Sequence, residues 1–180
     1  MCLFLANFNI LKYSSSKIIK RITSSCSSSS LSCYRIPVSE ISQENLIFVD
    51  TETTGLNHDA EMVQISAKQN KTHARCINFY CLPNTNISKG AARVNGFKVI
   101  NDKLYHKNEQ VNTVSVCDAI NNLTKLANNE NESQSKYILV AHNAPFDAKI
   151  IISSAIQNDL IQDLRRHFIG FIDTLAIFKN

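Results

Sequence analysis

The chain has 180 residues, 44% of them hydrophobic and 19% charged, which suits one domain with a sizeable core plus an appendage. No apolar run approaches the length of a bilayer-crossing helix, so no membrane association is expected. The net charge of +4 hides an asymmetry: residues 1–39 carry five basic residues and no acid, leaving the remainder at −1. The folded part is therefore not a strongly basic nucleic-acid binder by composition, and a polyanion must be met by a local patch or by metal ions.

Residues 1–40 form a Ser/Lys-rich segment, with serines crowded at 14–16 and 24–32. That composition is expected of a mitochondrial transit peptide or a disordered tail. The expected compartment is intracellular: mitochondrial if the segment is a transit peptide, nuclear or cytoplasmic otherwise. The six cysteines include no CxxC pair and no His at zinc-finger spacing, as expected of reduced thiols. Cys76 and Cys81 fall at odd spacing on a predicted strand and so point to opposite faces.

The predicted domain spans 41–180. Residues 46–50, an apolar run ending in an acid, read as a buried central strand. Residues 53–59 carry turn chemistry. Predicted strands at 62–67 and 76–82 follow after short links, which implies an antiparallel meander. A short helix is expected over 87–94, stopped by Asn95-Gly96. Residues 114–127 read as an amphipathic helix, with Val116, Ile120, Leu123, Leu126 and Ala127 at helical spacing. After a polar loop at 128–136 come a buried strand at 137–141, a helix at 146–156 with Pro145 in its first turn, a fifth strand at 168–172 and a helical start at 174–179. The order predicts an α/β fold, a mixed five-stranded sheet flanked by helices.

Asp50 and Glu52 project to the same face of one strand. Two carboxylates this close resist joint ionisation unless a cation lies between them, and the hard ions Mg²⁺ and Mn²⁺ prefer such oxygen ligands. Asp147 is expected in the first turn of the helix after the second buried strand, where the helix dipole favours negative charge. Two apolar strands each leading to an unpaired acid point to compensation by metal, and so to metal-assisted phosphoryl chemistry. Gly55 permits a turn whose N–H groups are able to face a sugar or phosphate.

These residues resemble a known family. The string Phe48-Val49-Asp50-Thr51-Glu52-Thr53-Thr54-Gly55-Leu56 is similar to the first motif of the DEDD, or DnaQ-like, 3′→5′ exonucleases, which include the polymerase III proofreading subunit and the three-prime repair exonucleases. Val140-Ala141-His142-Asn143-Ala144-Pro145-Phe146-Asp147 resembles their second motif. The stretch from Ile87 to Phe97 resembles the element between the two, and Phe171-Ile172-Asp173-Thr174-Leu175-Ala176 resembles the Asp-Thr segment that follows. The resemblance implies a ribonuclease-H-like fold, Asp50, Glu52 and Asp147 as catalytic ligands of two Mg²⁺ or Mn²⁺ ions, and Thr53, Thr54, Gly55, Leu56 and Asn143 as substrate-binding residues. The implied partner is a DNA or RNA 3′ end.

A third motif, holding a catalytic His and a fourth metal-binding Asp, should lie beyond the Asp-Thr segment, but the sequence ends at Asn180. The expectation is a domain incomplete at its C-terminus, impaired in activity and with one ion short of a ligand. His167 and Asp173 do not replace the motif, because the residues between them read as a strand. The alternative is a non-catalytic nucleic-acid or nucleotide-binding module. A haloacid-dehalogenase-type phosphatase would want an Asp where Glu52 stands.

Overall fold

The computed structural model describes residues 45–128 and 136–175; the expectations for residues 1–40, for most of the 128–136 loop and for the helix after Leu175 lie outside them. Five strands fall where the hydrophobic runs place them: β1 (Leu46–Thr53), β2 (Met62–Gln69), β3 (Cys76–Cys81), β8 (Tyr137–Ala141) and β9 (Phe168–Asp173). β1, β2 and β3 form the expected antiparallel meander. β8 lies parallel to β1, and β9 parallel to β8. A two-residue strand, β7 (Thr113–Val114), adds a sixth position at the outer edge, giving the order β7-β3-β2-β1-β8-β9. With helices packed on it, this mixed sheet has the expected α/β architecture.

The helices are α1 (Lys89–Asn95), α2 (Val116–Ala127), α3 (Ala144–Gln157) and α4 (Ile161–His167). In α2, Ser115 caps the start by accepting from the Asp118 N–H, which satisfies one free N–H of the first turn, while its hydroxyl donates to the Asp118 carboxylate. The predicted apolar stripe is buried: Ile120, Leu123, Leu126 and Ala127 pack with Ile150, Ile151 and Ala155 of α3 onto Ile47, Val49, Ile65 and Leu139 of the sheet. Each such Ile, Leu or Val side chain contributes about 1.5–3 kcal/mol of burial.

β8 is buried along its whole length, as its apolar run implies, but β1 is not. Ile47, Val49, Thr51 and Thr53 face the helices, while Phe48 is 46% exposed and Asp50 is exposed on the opposite face. The apolar run at 46–49 therefore serves two different environments.

Residues 97–110 carry no strand in the sequence reading, yet form a second sheet of β4 (Phe97–Ile100), β5 (Lys103–His106) and β6 (Glu109–Gln110). Two tight turns join them, Asn101-Asp102 and Lys107-Asn108, all four residues having positive φ, the backbone that matches the twist of two-residue hairpins. Phe97 and Leu104 close over Val63 as a satellite core, and the Phe97 ring stacks on His106 at 4.5 Å. The short helix α4 also escapes the sequence reading, since only Leu164 in it is buried. The exposed Cys76 and buried Cys81 are free thiols, with burial pushing the Cys81 thiol up to about 11.

Candidate active site

After β1 the chain turns away through β2 and β3, and it returns to β1's other side only as β8. The carboxyl ends of β1 and β8 thus meet where the strand order reverses, the place where open α/β sheets open a crevice for ligands. Pairing between the two strands covers only Leu46–Phe48 against Ile138–Val140. Beyond it the edge of β1 loses its strand partner, and Asp147 from α3 fills the gap. Its Oδ1 accepts from the Thr51 N–H at 2.9 Å and from the Thr51 hydroxyl at 2.7 Å.

Asp50 and Glu52 flank that anchor on β1. Among the described residues neither carboxylate accepts a hydrogen bond or forms an ion pair. Asp147 is 3% exposed. Burial pushes its carboxyl up to about 6, the Asp50 charge adds to the rise, and the Thr51 bonds oppose it. A cleft of about 540 Å³ opens on Asp50's face of the sheet, bordered by Phe48, Ser66, Lys68, Asn78, Val140 and His142.

The donor set is all oxygen, and among the described residues none of its three members has an ion-pair partner, Asp147 being met only by the neutral Thr51 donors, which fits a hard divalent cation. The three acids are neighbours but not a closed cage: among the described residues no group of three or more His, Cys, Asp or Glu side chains is arranged to hold a metal ion. The two Thr51 bonds draw Asp147 into the strand edge, toward the helix-covered side, whereas Asp50 and Glu52 project from the other face.

The residues after the acids are mainly scaffold. Thr53 and Thr54 are buried; the Thr53 hydroxyl donates to the Gly55 carbonyl, and the Thr54 hydroxyl accepts from the Glu61 N–H. The Thr54 carbonyl accepts from the Ser88 N–H and the Thr53 carbonyl from the Asn95 amide, fastening α1 to the strand end. Gly55 is not in the left-handed region. A Cβ there would meet Asn57 Oδ1 at 3.2 Å and Ser88 Oγ at 3.6 Å, so closeness rather than backbone freedom is what a side chain would disturb. Leu56 is 88% exposed, a large apolar side chain presented at the site's rim.

Asn143 sits at φ 63 with its side chain giving no cap to α3. Asp173 performs that service instead: its Oδ1 accepts from the N–H groups of Asn143, Ala144 and Leu175 at 2.9, 3.2 and 2.9 Å. Asp173 ends β9, and His167 ends α4 on the far side of that strand, so the two do not form a His/Asp pair on one helix. Sequence reasoning placed Asp173 among non-catalytic residues but did not foresee its capping role; nor did it foresee Thr51 as the anchor of Asp147. Both depend on contacts between segments distant in the chain.

No family model matches the chain, and none of the curated proteins matches it. Among solved structures, one described as "Exonuclease X in complex with 5' overhanging duplex DNA" is similar at 21% identity, covering 58% of this chain and 52% of that one, with a TM-score of 0.41. The chain spans about half the length of that structure.

Proposed function

We propose that this chain is a metal-dependent nuclease of the 3′→5′ exonuclease type, hydrolysing phosphodiester bonds at the 3′ end of DNA or RNA. The observation that carries the reading is that Asp50, Glu52 and Asp147 all stand near one strand end, with no ion-pair partner for any of the three among the described residues. Asp50, Glu52 and Asp147 would hold Mg²⁺ or Mn²⁺, which when bound supplies an activated water and stabilises the leaving oxygen. The chain's own residues give position. Thr51 fixes one oxygen of Asp147, the Thr53–Gly55 turn sets the rim, and exposed Leu56 offers an apolar surface to the terminal nucleotide. Asp173 steadies the Asn143 turn, and Asn143 would contact the same nucleotide.

The test is release of mononucleotides from a 3′-ended oligonucleotide by the full chain with Mg²⁺ or Mn²⁺. The expected result is metal-dependent release that Asp50→Ala abolishes; undiminished release in that variant would overturn the assignment. A second reading, a non-catalytic nucleotide-binding module, is favoured by the absence of a closed three-acid cage among the described residues. Calorimetric binding of Mn²⁺ with a nucleoside monophosphate, without any release of nucleotides, would select it.

A further inference from the structure

Between Ser88 and Val114 the chain carries Lys89, Arg93, Lys98, Lys103 and Lys107 against only Asp102 and Glu109. The rest of the described chain holds eight basic and nine acidic residues, so positive charge is concentrated on α1 and the second sheet. All five cations are exposed, and none forms an ion pair with a described residue. Three gather where α1 ends. Arg93 lies in its last turn. Lys107 lies against the Gly96 cap, its Cγ 3.3 Å from where a Cβ on Gly96 would stand. Lys98 reaches the same turn, its ammonium donating to Asn108 Oδ1 at 2.7 Å.

The location matters as much as the charge. α1 buries none of its residues, so packing does not explain its place. It is tied instead to the end of β1 by the Ser88–Thr54 and Asn95–Thr53 bonds, and to the second sheet by the Lys107 N–H donating to the Gly96 carbonyl at 3.0 Å. Beside the cations Val94 stands 86% exposed. A rigid basic face is thereby fixed to the strand end that carries Asp50 and Glu52.

We infer that α1 and the β4–β5–β6 sheet form a nucleic-acid-binding face whose Arg93, Lys98 and Lys107 contact the phosphates of the strand leading into the candidate active site. The inference rests on the nuclease reading for the strand's destination, but the binding itself needs neither metal nor turnover. Cations on a rigid face pair with phosphates at a spacing that sequence does not alter, so affinity should be salt-dependent and indifferent to base sequence.

The experiment is fluorescence anisotropy of a labelled single-stranded oligonucleotide with the full chain in EDTA, over a range of salt concentration. The variant Arg93→Gln/Lys98→Gln/Lys107→Asn is compared with Lys125→Gln/Lys136→Gln, whose sites lie toward the opposite end of the sheet. The first variant should bind about tenfold or more weakly, with a log–log salt slope shallower by about 2 for three lost contacts. The second should bind like the parent, and both should melt like the parent. Equal binding by the first variant, or no binding by the parent, would overturn the inference. So would competition by polyglutamate as strong as by the oligonucleotide, which would assign the face to an acidic polypeptide. Binding through this face without nucleotide release would leave the inference standing and count against the catalytic reading; nucleotide release whose KM is unmoved by the first variant would do the reverse.

Discussion

Asp147 shows how one side chain ties stability to function. It is buried, and its carboxyl is raised to about 6 chiefly by burial. A folded-state value above the ordinary carboxylate value of about 4 means that the folded chain holds the proton more tightly than the unfolded one. The associated stability is therefore fully present below pH of about 4 and is lost as pH rises through 6. The linked cost of ionising Asp147 at pH 8 is about 3 kcal/mol. Asp147→Asn keeps an oxygen for both Thr51 bonds and removes the charge, so it should raise Tm at pH 8 by roughly 6–12 °C. That gain should vanish at pH 4, where the parent's carboxyl is already neutral. Thermal melts of both proteins across this range check the sign, and a Tm difference independent of pH would show that the charge is not the cause.

At the scale of elements, what was readable in the sequence followed from burial. β1, β2, β3, α2, β8, α3 and β9 each present a run or stripe of apolar residues to the main core, so their periodicity is set by the packing that stabilises them. The second sheet has little of that signal: of β4's four residues only Phe97 is buried, of β5's only Leu104. Its turns use Asn101-Asp102 and Lys107-Asn108 rather than the glycine-containing pairs that announce a hairpin. The acids of the site were legible because strand alternation alone puts Asp50 and Glu52 on one face. The Thr51–Asp147 and Asp173–Asn143 contacts were not, since they join positions 96 and 30 residues apart. α1 was legible through its stop signal, and Gly96 is indeed left-handed at φ 75. Gly96→Ala forces a Cβ into that backbone region and against Lys107. It should cost about 1 kcal/mol or somewhat more, measured by urea denaturation with an unchanged m-value. A neutral outcome would mean that the α1 cap is not held in place by the turn behind it.

The molecule as a whole combines a well-packed scaffold with an electrostatic conflict at one edge. Helices α2 and α3 cover one face of the sheet, and about the end of β1 stand Asp50 and Glu52 on the other face, with Asp147 held to Thr51 on the helix-covered side. In the metal-free chain the fold weakens as pH rises, because Asp147 loses its proton in a buried place, with the Asp50 charge a smaller addition. A divalent cation bound there would act in the opposite sense: its ligands must be deprotonated, so its affinity should rise over the same pH interval. Manganese at about 100 times its dissociation constant adds about 2.7 kcal/mol to a native state that alone binds it. Mn²⁺ should therefore raise Tm markedly at pH 8 and little at pH 5, reversing the downward trend of the metal-free chain. Asp50→Asn and Glu52→Gln should each remove most of the rise, while Lys125→Gln should leave it intact. Scanning calorimetry with and without Mn²⁺ at the two pH values decides the matter. A rise that survives in Asp50→Asn would place the cation elsewhere, and no rise at pH 8 would mean that the three acids do not assemble around an ion in this chain.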